Sequence, residues 1–72
     1  MMYIKYHFEL RKRINSLTVE TVCGTVTCNS DNQAVDLCAA IARERNKQLS
    51  LVYKMEPKPF TEVYRDSNKT VV

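Results

Sequence analysis

From Tyr3 to Arg11 the side chains alternate without interruption. Ile4, Tyr6, Phe8 and Leu10 fall on one side, and Tyr3, Lys5, His7, Glu9 and Arg11 on the other. Successive side chains of an extended strand point to opposite faces, so this spacing predicts a strand with one buried and one wet face. Such a strand needs a neighbour to pair with and an apolar layer to cover it. In 72 residues there is room for one core only, so every other element must serve this strand.

The neighbour follows the polar break Arg13-Ile14-Asn15-Ser16. Leu17 to Cys28 is rich in Val and Thr and reads as a second long strand closing a hairpin. Its apolar residues change parity: Leu17 and Val19 share one side, Val22, Val26 and Cys28 the other. A β-bulge near Glu20-Thr21 restores a single apolar face. It gives the inward pairs Phe8/Val22, Tyr6/Gly24 and Ile4/Val26, with the Tyr6 ring over the glycine. The competing reading is a turn at Cys23-Gly24 that splits the stretch into two short strands.

Ser30-Asp31-Asn32-Gln33 matches a capping box, and Asp31 adds negative charge where the helix dipole favours it. The helix is expected to run to about Asn46, with Ala34, Leu37, Cys38, Ile41 and Ala42 as its apolar stripe and Val35 at the margin. Tyr6 and Phe8 should pack against Leu37 and Ile41. Leu49, Leu51, Tyr53 and Met55 then alternate with Ser50, Val52, Lys54 and Glu56, a third strand ended by Pro57 and Pro59. Phe60 to Arg65 fits either a short edge strand or a packed arm, and residues 66–72 read as a flexible tail.

The expected fold is therefore α+β, a ββαβ(β) unit. One helix covers one face of a three-stranded, mainly antiparallel sheet of order 2-1-3, in a single domain over residues 1–65. At 44% hydrophobic with one Gly and two Pro, the composition excludes disorder for the body of the chain.

Charge and motifs narrow the function by subtraction. The 11 basic and 8 acidic residues give a net charge of +3, with the excess near the two ends. This permits a polyanionic partner without demanding one. The sequence carries no apolar run of membrane-spanning length and no secretory pattern at Met1-Met2-Tyr3, so a cytoplasmic protein with no membrane contact is expected. The odd count of three cysteines, Cys23, Cys28 and Cys38, fits reduced thiols. Asn68-Lys69-Thr70 is read as an accidental glycosylation match. There is no phosphate-cradling glycine loop and no metalloprotease or hydrolase motif, so neither an enzyme nor a cofactor is expected.

Three groupings of side chains remain. The hairpin register sets His7 opposite Cys23 on the wet face with Glu9 beside them, a formal thiol-imidazole pair that makes Cys23 the candidate reactive thiol. An open sheet face lacks what catalysis needs, so no catalytic role follows. Three cysteines and one histidine also make a four-ligand set, but Cys28 and Cys38 point inward and His7 and Cys23 outward, so no metal site is expected. Last, Arg11, Lys12 and Arg13 at the hairpin tip join Tyr3, Lys5 and His7 as candidate contacts for a partner. We read the chain as a non-enzymatic interaction module for a protein, with nucleic-acid binding by the basic hairpin as the alternative. The Val/Thr-rich second strand, if it stays at the edge, also offers homodimerisation by edge pairing.

Overall fold

In a computed structural model, which describes residues 3–56 and 60–66, the alternating segment is β1 (Ile4–Asn15). It pairs antiparallel with β2 (Thr18–Cys28), one continuous strand rather than two short ones. Next come α1 (Asp31–Glu44), β3 (Gln48–Lys54) and β4 (Thr61–Arg65). The sheet has four antiparallel strands in the order β2-β1-β3-β4, so the expected 2-1-3 core of the topology is present and a fourth strand extends it. α1 covers one face, and the fold is α+β. Pro57 and Pro59, the Asn68 acceptor and all of the expected tail except Asp66 lie outside the described residues. Asp66 itself is held: its N–H donates to the Ser50 carbonyl at 2.9 Å, and its carboxylate accepts from the Gln48 amide.

The core lies between α1 and the sheet. Tyr6, Phe8 and Leu10 from β1, Cys28 from β2, and Leu49 and Val52 from β3 are buried, with Ala34, Cys38 and Ala42 of α1 above them. The helix thus presents a narrow stripe of small residues at i, i+4 and i+8, which brings its axis close to the sheet. Ile41 is partly buried, but Leu37 is 42% exposed and is not the covering residue that periodicity suggested. Its bulk sits at the margin because alanine and cysteine occupy the line of closest approach.

Both helix ends follow from local chemistry. Ser30 Oγ accepts from the Gln33 N–H at 3.2 Å, while Gln33 Oε1 accepts from the Asn29 N–H, one residue further back than a standard box. At the other end Asn46 takes φ 57°, the Asn46 N–H donates to the Arg43 carbonyl and the Lys47 N–H to that of Ala42. This is a Schellman closure with asparagine in the left-handed position, and it stops the helix at Glu44 rather than near Asn46.

Two strand phases differ from the alternation read in the sequence. In the hairpin the irregularity lies between Arg13 and Asn15 of β1, not at Glu20-Thr21, and the pairs are Phe8/Gly24, Tyr6/Val26 and Ile4/Cys28. Leu17 and Val19 therefore stay off the core side. Residues 13–21 are all exposed, so no bulge in β2 is needed to turn Leu17 and Val19 inward. In β3 the register shifts between its Leu49 and Leu51 pairings with β1, leaving Ser50 as the extra residue. Leu49 and Val52 are thereby buried, while Leu51 and Tyr53 pass to the face without the helix.

The hairpin outruns the sheet. β3 pairs with β1 only from Tyr6 to Arg11, whereas β1 and β2 remain paired as far as Asn15 and Thr18. The four residues of β1 beyond Arg11 span roughly 13 Å at strand rise. Every residue from Arg13 to Thr21 is exposed.

Candidate functional site

The candidate side chains fall on two surfaces, the sheet face away from α1 and the projecting hairpin arm. On the first, β1 contributes Lys5, His7 and Glu9 because its odd-numbered residues point away from the core. β2 adds Cys23 and Thr25, and β3 adds Leu51 and Tyr53. Cross-strand neighbours are His7/Thr25, Glu9/Cys23, His7/Tyr53 and Glu9/Leu51. The expected face is correct for His7 and Cys23, but the expected pairing is not: with no bulge in β2, Glu9 stands opposite Cys23 and His7 is diagonal to it. The imidazole, carboxylate and thiol nevertheless converge, with one ligand atom of each lying within 4.8 Å of the others.

Beside this cluster runs a row of rings. His7 and Tyr53 have centroids 4.9 Å apart, and Phe60 stacks on Tyr53 at 5.3 Å. Phe60 is half exposed. A shallow, open depression lined by Leu51, Tyr53, Phe60, Glu62 and Arg65 continues the row. Arg65 bridges Glu62 at 2.8 Å, which holds the Glu62 carboxyl below its ordinary range and raises the guanidinium. Sequence reasoning missed this row, since unbroken alternation turned Tyr53 inward. The one available signal was that Val52, among the most apolar residues of β3, would then face water.

On the arm, the basic run divides by strand alternation. Arg11 and Arg13 lie on the side without the helix, opposite Thr21 and Val19, whereas Lys12 faces the other way, opposite Glu20. The three residues sit within β1 rather than at the turn itself. Tyr3 is 61% exposed just before β1. Glu20 is engaged by Lys47 at 2.6 Å, with Lys12 adding a weaker field, and its carboxyl is held below the usual range. Ile14 (53% exposed) and Leu17 (94% exposed) accompany the cations, and the Asn15 side chain accepts from the Leu17 N–H across the turn.

All three cysteines are free. Cys23 is exposed, and Cys28 and Cys38 are buried among apolar atoms. Burial pushes the Cys28 thiol up, and it raises that of Cys38 to about 11, with Cys28 contributing. The two buried thiols lie on the α1 side of the sheet and cannot join His7 and Cys23 in one ligand set. No family model, curated protein or solved structure matches this chain. Among the described residues, no helix is long and apolar enough to cross a membrane.

Proposed function

We propose that the chain is a small non-enzymatic binding module that docks a protein partner through its hairpin arm, the partner presenting an acidic, extended segment. The observation that carries this reading is the reach of the arm past the rest of the sheet, with Ile14 and Leu17 exposed beside Arg11, Lys12 and Arg13. Solvated charges alone would keep a turn soluble; large apolar side chains among them point to a contact. Glu20, the acid of the arm, is already matched by Lys47, so the arm presents net positive charge. β2 is an end strand of the sheet and offers its outer edge for strand addition, while β4 occupies the other flank of β3. A second copy could use the same edge, but it would bring another basic arm, and an acidic partner answers the charge better. The non-enzymatic reading is supported by the open setting of the His7, Glu9 and Cys23 cluster, which excludes no water. Free thiols at all three cysteines support a cytoplasmic setting.

Selection of a random peptide library on the immobilised chain tests this. Enriched peptides should be acidic, with β-branched residues at alternate positions. Their affinity should fall with added salt, with the triple change Arg11→Ser, Lys12→Ser, Arg13→Ser, and with Leu17→Asp. Peptides that bind the triple variant equally well would overturn the proposal. Self-association by light scattering, lost in the same variants, would replace the acidic partner with a second copy.

The ring row favours one second reading, single-stranded nucleic acid laid across the face without the helix. Stacking on an aromatic side chain is worth roughly 1–3 kcal/mol per base, and Lys5 stands beside the row to meet phosphate. Binding of an oligothymidylate at low salt, weakened by Tyr53→Ala and Phe60→Ala, supports this reading. Absence of binding at low salt removes it.

A further inference from the structure

We infer that His7, Glu9 and Cys23 form a site for a borderline transition-metal ion of the zinc class, held by one imidazole nitrogen, one carboxylate oxygen and one thiolate, with water completing the shell. The three ligand atoms already lie within 4.8 Å of one another. A tetrahedral ion with bonds of about 2.0–2.3 Å sets its ligands roughly 3.2–3.8 Å apart, so closure asks for about 1 Å of side-chain movement. The backbone that carries the ligands is well fixed. His7 and Glu9 are two residues apart on β1, where both are paired on either side, with β2 and with β3, and Cys23 is the cross-strand neighbour of Glu9. The Tyr53 ring lies against the His7 ring and limits its rotation, which lowers the cost of ordering the nitrogen ligand.

The donor set selects the ion. A thiolate disfavours Mg²⁺ and Ca²⁺, which take oxygen ligands, and one sulfur, one nitrogen and one oxygen suit Zn²⁺ and Co²⁺. On binding, the Cys23 thiol gives up its proton to solvent as the sulfur–metal bond forms, and His7 coordinates as the neutral ring. Thiolate and carboxylate together then balance the charge of the ion. Cys28 and Cys38, buried on the opposite side of the sheet, take no part. This separates the site from a four-ligand cysteine-histidine set, in which all three thiols would be engaged.

The full chain, reduced with a non-thiol reductant and freed of metal, is titrated with Zn²⁺ by calorimetry and with Co²⁺ by absorbance. Expected are one ion per chain, a thiolate-to-cobalt charge-transfer band, and protection of the exposed Cys23 from alkylation under native conditions, reversed by a chelator. Losing an outer-shell partner commonly costs roughly tenfold in metal affinity or more, so Cys23→Ser, His7→Asn and Glu9→Gln should each weaken binding by at least that factor. Glu62→Gln on the same face should leave it unchanged. Circular dichroism establishes that each variant is folded. No binding of either ion by the folded protein, binding indifferent to all three substitutions, or one ion per two chains would each overturn the assignment.

Discussion

The Tyr6 hydroxyl donates a 2.6 Å hydrogen bond to Asp31 Oδ1, joining the buried start of β1 to the first turn of α1. Lys54 Nζ lies 3.4 Å from the same oxygen, so one carboxylate at a helix start also reaches β3. Burial raises the Tyr6 hydroxyl to about 12, with the hydrogen bond to Asp31 and its charge acting in the same direction. Asp31 is held below its ordinary range by the Tyr6 hydrogen bond, with Lys54 assisting and burial opposing. Tyr6→Phe keeps the ring and removes the bond. Hydrogen bonds to charged groups contribute roughly 1.5–3 kcal/mol, and because Asp31 stays partly hydrated a loss of about 1 kcal/mol is expected.

The sign with pH follows from the two directions. The lowered carboxyl contributes stability above its unfolded value near 4, lost as pH falls through the folded one. The raised hydroxyl contributes fully below its ordinary value near 10, and this is lost as pH climbs toward the folded value of about 12. Urea midpoints of wild type and Tyr6→Phe should therefore differ most between about pH 5 and 9, draw together as pH falls below about 4, and draw together and then reverse in order as pH climbs past about 10. A difference that is constant with pH would remove the Tyr6–Asp31 link.

Gly24 leaves room for the Phe8 ring. A Cβ built on Gly24 would stand 2.6 Å from Phe8 Cζ and 3.1 Å from Cε2. Gly24→Ala should destabilise by about 1 kcal/mol, since overpacking costs roughly 1–3 kcal/mol and the stiffer unfolded chain returns a few tenths to one. Phe8→Ala should cost roughly 3–5 kcal/mol. In the Phe8→Leu background the alanine penalty should shrink. Additive melting shifts in the double variant would mean that ring and glycine do not meet.

Period-two alternation over Ile4–Leu10 and the Ser30 cap made β1 and α1 readable, because each depends on side chains adjacent in the sequence. A ring over Gly24 is legible in the sequence, but which ring depends on register: a bulge at Glu20-Thr21 would bring Tyr6, and the observed pairing brings Phe8. Both errors of phase share a cause. Alternation by itself implies that every apolar residue reaches the core, yet Leu17 and Val19 lie where no helix covers the hairpin. Whether a position is covered depends on the lengths of β3 and α1, which are properties of the assembled fold. The same limit hid the ring row on the outer face, since a bulge at Ser50 has no local signal in a stretch that alternates well without it. The shared face of His7, Glu9 and Cys23 is legible although their pairing is not, because face depends on parity and pairing on register.

The thiols should divide by burial. Alkylation under native conditions is expected to modify exposed Cys23 first, with Cys28 and Cys38 reacting only as the fold opens. For Cys38 the barrier is twofold, since it is fully buried and its thiol is raised to about 11. Adding urea should accelerate labelling of Cys28 and Cys38 together, following the unfolding transition, and change Cys23 little. Mass spectrometry of alkylated peptides reads all three rates. Native labelling of Cys38 as fast as Cys23 would contradict a core in which α1 rests on the sheet through Ala34, Cys38 and Ala42.

The sharpest test of β3 compares two adjacent residues. Unbroken alternation buries Leu51 and exposes Val52, whereas the bulge at Ser50 reverses them: Val52 is fully buried and Leu51 lies on the opposite face. Val52→Ala removes two buried methyl groups at about 0.8 kcal/mol each, and the cavity adds to this, so a loss of about 2 kcal/mol or more is expected. Leu51→Ala deletes more carbon but from a half-exposed site, and should cost under about 1 kcal/mol. Residue size alone predicts the opposite ranking, so the order of the two urea midpoints isolates the effect of register. A polar pair sharpens it further. Val52→Asn would bury an amide where only apolar atoms surround it and should abolish cooperative unfolding, whereas Leu51→Asn should leave the transition intact. If Leu51 proves the more sensitive position in both pairs, the bulge is absent. Tyr53 would then turn toward α1, and the ring row beside His7 would dissolve with it.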